Sequence, residues 1–330
     1  MKRLLFVGAI VLVMFIGMAT ATEPVKLKFA SFAPPKAVSN TITFGPWIDR
    51  MNAEGTVKIE KYLGGVLGRD PKLQLKILTD NVSDISFFPP EWIAGQFPDD
   101  SVFNLPLMAK NAFESCSGSS ALFNKGLLRG YDDIKVLASL TTGTKYIHSS
   151  YPIRNPADIK GHKFGVSNKF QADIFRNLGG IGVFMPPSKM AENMSRGVIH
   201  GVLIDVSSLF AFRVNDVAKH HLMLPSGNTR VVVAMNKKVY ANLPPAAKAT
   251  IDKHGGEPLR RTWSKMIDDQ EEEKLAVLEK DPQHTVVKPT AEELNQWNAS
   301  LQVLIDDWEK EDPKRTILRK AYEEELDRIR

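Results

Sequence analysis

The chain is poor in cysteine: Cys116 is the single one among 330 residues. One thiol cannot close an internal disulfide, and no Cys/His cluster has zinc spacing. Catalytic signatures are missing too. There is no G-x-S-x-G elbow, no H-E-x-x-H pair and no Cys/His nucleophile arrangement. The histidines are scattered at 148, 162, 200, 220, 221, 254 and 284. His220 and His221 are expected at a helix end, pointing apart, which argues against a shared metal. Strong charge of one sign is also absent. The net charge is +5, and Lys2 and Arg3 supply two of those charges, leaving +3 for the rest. That is too mild for a nucleic-acid surface. Beyond the first 21 residues no stretch is apolar enough for a membrane span, which takes about 20 residues. These absences speak against an enzyme, a metalloprotein, a nucleic-acid binder and a membrane-embedded protein, and they call for no cofactor.

What is present is ordinary globular composition, 43% hydrophobic and 25% charged. The length suggests about two domains. Residues 1–21 read as an export leader: Lys2 and Arg3, an apolar Leu4–Met18, and a small-residue cleavage site at Ala19-Thr20-Ala21. Cleavage after about Ala21 would release the chain to the periplasm. A chain this long can build its core without disulfides in an oxidising compartment.

The most regular stretch is Asn155–Asp205. Asn155 and Asp158 can cap a turn around Pro156. Lys163–Val166 is a short strand and Gln171–Leu178 a helix with Ala172, Phe175 and Leu178 on one face. Gly179-Gly180 stops it. Strand Val183–Met185, a helix from Ser188 to Ser195, and strand Val198–Ile204 follow. Strand and helix alternating at this spacing imply parallel pairing and an α/β fold, with ligands beyond the carboxyl ends of the strands.

Earlier in the chain, Val25–Ala30 and Val57–Tyr62 alternate as strands, and Val82–Phe88 is a third. Phe44, Trp47, Ile48 and Met51 mark a helix face. Gly64–Asp70 is glycine-rich but fits neither GxGxxG nor a P-loop. Arg230–Asn236 is apolar enough for a fully buried strand. The acids of Asp268–Glu273 read as a solvated helix face. Thr290 opens a helix with a capping box, and Leu294, Trp297, Leu301, Leu304 and Trp308 recur on its inner face.

D-I-K-G-x-K-F-x-V at Asp158–Val166, L-G-G followed by V-F-M-P, and S-R-G-V-I-x-G-V near Ser195–Val202 resemble one family in order and spacing. So do G-G-V-L-G-R-D at Gly64–Asp70, F-N-L-P at Phe103–Pro106 and N-K-K-V-Y-A-N-L-P at Asn236–Pro244. The chain resembles the solute-binding subunit of tripartite ATP-independent periplasmic (TRAP) transporters, the DctP-like group. The likeness runs from about residue 25 to 310.

That resemblance implies a two-domain α/β periplasmic binding protein with a ligand cleft between the domains and crossing hinge strands. The first domain would hold 22–145 plus about 229–270. The second would hold 146–228 plus about 271–330. It implies capture of a small solute by closure of the cleft, delivery to TRAP permease subunits, and a monomer. The family's carboxylate-binding Arg corresponds to Gly165 here, and its ligand-bonding Asn to Ile204. Candidate site residues are Glu91, Trp92, Lys145, Asp205, Phe32, Phe88, His148, Asn168 and Phe170. Glu91 and Asp205 could neutralise an ammonium, and the aromatics could face a cation. Phe88 and Phe170 fit the core equally well. A small amine, amino alcohol or polyol is the favoured solute. The alternatives are an organic acid held by Lys145, and a periplasmic enzyme built on Glu91 and Asp205.

Overall fold

The computed structural model describes residues 23–93 and 95–330, so the leader falls outside the described residues. Eleven strands are described: β1 Val25–Ala30, β2 Val57–Tyr62, β3 Ile85–Phe88, β4 Ile134–Thr141, β5 Lys145–Ser149, β6 Lys163–Val166, β7 Ile181–Phe184, β8 Gly201–Asp205, β9 His220–Leu222, β10 Arg230–Asn236 and β11 Thr285–Val287. They form two mixed sheets with helices around them, ordered β2-β1-β3-β10-β4 and β11-β9-β5-β8-β6-β7.

The parallel pairs β1–β2, β1–β3, β6–β7 and β6–β8 carry the strand–helix–strand units read from the sequence. β10 runs antiparallel between β3 and β4, and all seven of its residues are buried. One core lies under the first sheet, where Phe29, Phe44, Trp47, Met51, Phe87 and Trp263 pack together. Cys116 sits in the same core, its thiol pushed up to about 11 by burial. A second core joins Phe88 and Phe103 to Phe164, Phe175, Trp297 and Trp308.

The helix Ala291–Lys310 begins with the expected capping box at Thr290 and Glu293. Its tryptophans reach both sheets' surroundings: the Trp297 indole donates to the Arg154 carbonyl at 3.3 Å and Trp308 to Ser101 at 3.0 Å. The helix Lys314–Ile329 then lies on the helix Ala112–Asn124.

The chain passes between the sheets at Thr142–Thr144 and again between β9 and β10. These crossings are stitched together. Lys145 N–H donates to the Gly227 carbonyl at 2.9 Å, Thr229 N–H to Thr142 Oγ1 at 3.1 Å, and Asn228 N–H to the Phe103 carbonyl at 2.7 Å. Gly227 has a φ of +83°, and a side chain there would collide with the Asn104 backbone. Gly227→Ala should therefore cost on the order of 3 kcal/mol, combining left-handed strain with overpacking. A urea midpoint unchanged from wild type would contradict this.

Two expectations change in three dimensions. His220 and His221 lie on strand β9, not at a helix end, because that segment pairs with both β5 and β11. The helix Gly256–Lys280 does not simply turn its acids to solvent. Asp268 accepts from the Ala112 and Phe113 N–H groups at 2.8 and 3.0 Å. One turn later Glu271 accepts from Val206 and Ser207 at 3.1 and 2.8 Å. Each carboxylate caps the exposed N–H groups of another helix's first turn.

Candidate ligand-binding site

Strand ends from both sheets meet. β3 ends at Phe88, and Pro89-Pro90 turns the chain so that Glu91 and Trp92 follow in a short helical turn. From the second sheet come Lys145, opening β5, Asn168 after β6, and Asp205, closing β8. Lys145 and Asp205 lie directly opposite in the antiparallel ladder.

Polar side chains tie these ends together. Asn168 Nδ2 donates to Glu91 Oε1 at 3.1 Å and lies 3.2 Å from Asn104 Oδ1. Asn104 Nδ2 donates to Glu91 Oε2, and Lys145 Nζ donates to Asn104 Oδ1 at 3.2 Å. Asn168 also caps its own helix, Lys169–Asn177, by accepting from Gln171 N–H. Asp205 likewise caps the helix Val206–Ala211, accepting from the Ser208 N–H and hydroxyl, both at 2.8 Å. Glu271 approaches the same helix start from the long helix. A side chain at Gly143 would meet both Glu271 and Asp205.

Burial sets the electrostatics. Lys145 is 4% exposed. Burial pushes its ammonium down in pKa, while Glu91 and Asp205 pull it back up. Burial raises Asp205, and the Ser208 hydrogen bonds and Lys145 oppose the rise. Glu271 is raised by burial and by the Asp205 charge. Two carboxylates thus act on one ammonium, and Glu271 adds a third carboxyl beside Asp205. Trp92 Nε1 and Gln171 Nε2 are buried there without partners, which buried polar groups rarely tolerate.

The other candidates lie elsewhere. Phe88 is fully buried and Phe170 nearly so, both in the shared core. Phe32 is half-buried, stacked on Phe87 at 4.5 Å between ring centres. His148 is fully buried and bonded to His221, not to the strand-end cluster. Gly165 faces Ile199, Met185 and Met190, so its side of the sheet is filled by apolar side chains. Sequence reasoning missed Asn104 and Glu271. An Asn within the apolar run Phe103–Met108 was a usable signal for the first. Glu271 has none, since nothing separates it from the neighbouring acids of its helix.

Residues 38–311 match the model of the bacterial extracellular solute-binding proteins, family 7. The chain belongs to that family. A curated relative, the C4-dicarboxylate-binding periplasmic protein DctP of Rhodobacter capsulatus, is 25% identical over 91% of both chains. A marine metagenome TRAP solute-binding protein, specific for aromatic acid ligands and solved with metahydroxyphenylacetate, superposes with a TM-score of 0.84. It is 25% identical, over 92% of this chain and 99% of that one. A TRAP solute-binding protein from Rhodoferax ferrireducens, solved with benzoate, gives 0.79 at 25% identity, over 92% and 98%. The family 7 protein is therefore a solute-binding receptor and not an enzyme, built as these two-domain TRAP structures are. No helix among the described residues is long and apolar enough to cross a membrane.

Proposed function

We propose that this protein captures a small amine, amino alcohol or polyol in the periplasm and hands it to a TRAP permease. The two lobes would divide at the crossings, 22–145 with about 229–270 against 146–228 with about 271–330. The leader 1–21 would be removed on export, and the mature protein would act as a monomer. Solute bound between Glu91 on one lobe and Asp205 on the other favours the closed arrangement by its differential affinity.

One observation carries the choice of solute: the two carboxylates Glu91 and Asp205 both act on one cation, Lys145, and Glu271 stands beside Asp205 with its carboxyl raised by burial and by that charge. Buried charge of one sign is costly unless paired. What this site lacks is a second cation, which a protonated amine supplies. A polyol would instead use the carboxylates as acceptors. The amide and ammonium donors that suit a carboxylate ligand already face Glu91 and its partner Asn104. Gly165, where the motif resemblance places the family's carboxylate-binding Arg, offers no guanidinium, and Ile204 stands where it places the family's Asn.

The relatives support a second reading. They bind aromatic acids, benzoate or a C4-dicarboxylate, and Lys145 could hold an acid as a point charge. A thermal-shift screen against organic acids and against amines, amino alcohols and polyols separates the two, because binding raises the midpoint by mass action. Stabilisation by acids alone would overturn the amine reading.

Glu91→Ala should abolish binding of a cationic solute while leaving the free protein's thermal midpoint nearly unchanged, since Glu91 is half-buried at a strand end. Unchanged affinity in titration calorimetry would remove Glu91 from the site.

A further inference from the structure

Three histidines from three segments form a hydrogen-bonded chain inside the second sheet. His148 Nε2 lies 3.2 Å from the Ile204 carbonyl. His148 Nδ1 lies 2.8 Å from His221 Nδ1, and His221 Nε2 lies 2.8 Å from His284 Nδ1. His284 Nε2 meets Lys219 Nζ at 3.3 Å, and Lys219 also donates to the Asn215 carbonyl. The chain thus crosses β8, β5 and β9 to the turn before β11. It ends one residue short of Asp205.

The two ends fix every proton. A carbonyl only accepts, so His148 carries its hydrogen on Nε2 and accepts on Nδ1. His221 must then donate from Nδ1 and accept on Nε2. His284 must donate from Nδ1 and accept on Nε2 from the Lys219 ammonium. The arrangement is complete only with three neutral rings.

An added proton has one structural consequence wherever it settles. On His284 it sits on Nε2 directly. On His221 or His148 it reverses the links between that ring and the surface, and His284 again carries hydrogen on Nε2. In every case an N–H faces the Lys219 ammonium. Asp281 Oδ2, 3.7 Å from His284 Nε2, is the acceptor to which that ring can turn. The charged and titratable groups facing the chain are Lys219, just before β9, His220 of β9 and Asp281 from the end of the long helix; β8 presents the Ile204 carbonyl.

We infer that His148, His221 and His284 form an acid-released latch, which ties β9 and the edge strand β11 to the site-bearing strands β5 and β8 and opens when Lys219 is expelled. Burial is the main cause holding His148 down to about 3 and His221 down to about 2. The sign follows: their contribution is intact above the ordinary imidazole value of about 6.5 and is lost as pH falls below it.

The test uses the whole protein with ¹⁵N-labelled histidine. Scalar couplings across two N–H···N bonds, His221 to His148 and His284 to His221, are expected at pH ~7.5, where neutral rings dominate. Thermal midpoints near pH 7.5 and 5.5 are then compared for wild type and Lys219→Gln, whose neutral amide can accept from His284. The variant's acid loss should be roughly half that of wild type. Lys219→Met serves as the second variant if Lys219→Gln does not fold. Absence of the couplings, or equal acid losses in wild type and variant, would overturn the latch.

Discussion

Arg230→Met is expected to destabilise the protein by about 3–5 kcal/mol, the usual cost of stranding one member of a buried ion pair. Arg230 and Asp100 are both fully buried, with 2.9 Å between Nη1 and Oδ1. Arg230 also donates to Ser119, Ser139 and the Tyr131 hydroxyl, and its guanidinium stands 4.6 Å from the Tyr131 ring centre. Its loss leaves Asp100 buried beside Tyr131 alone. Burial already pushes the Asp100 carboxyl up to about 6. A carboxyl raised in the folded state loses stability as pH rises from its unfolded value through its folded one. Without Arg230 that window extends upward, so the deficit should be larger at neutral pH than near pH 4.5. Urea titrations at the two pH values check this. Equal deficits, or a midpoint unmoved by the substitution, would refute it. Arg230→Met combined with Asp100→Leu should recover much of the loss, since replacing both charges removes the stranded one.

Lys145→Met is the substitution that divides the two ligand readings most sharply. If the solute is an amine, removing the buried ammonium deletes a like charge from the site. At an effective dielectric of about 20 and a separation of roughly 6–15 Å, that is about 1–3 kcal/mol, or on the order of ten- to a hundredfold tighter binding. If the solute is an acid, the same change deletes the only cation of the strand-end cluster. Binding should then weaken by about 2–5 kcal/mol, as for other truncated buried charges. Calorimetric titration of wild type and variant with the hits of the acid and amine libraries reads the sign directly. Weakened binding of an amine would sink the amine reading.

Much of the fold was legible because its determinants are local. Alternation in Val25–Ala30 and Val57–Tyr62, the helix faces around Trp47 and Trp297, and the caps at Asn155 and Thr290 act within a few residues. Neighbouring segments then needed only parallel pairing to give the α/β units. Glu91, Asn168 and Asp205 were legible as candidates because each lies at or just past a strand's carboxyl end, where an α/β sheet opens its crevice, and Lys145 was named from the family resemblance. The error at His220-His221 came from a strand of only three residues, too short to display a period.

The strand–helix alternation, the buried β10 and the strand-end polar residues are all written locally in the chain, because periodicity and capping are read within one turn or one strand. Which residues keep company is set by the packing of distant segments. Asn104 is brought 41 positions along the chain to Lys145, and Asp100 is brought 130 positions to Arg230. Glu271 meets Asp205, and His221 meets both His148 and His284, across more than 60 positions in each case. A charge or an imidazole has no periodicity to announce its partner. Its role is fixed by what packing places within hydrogen-bond reach and by how much water packing removes.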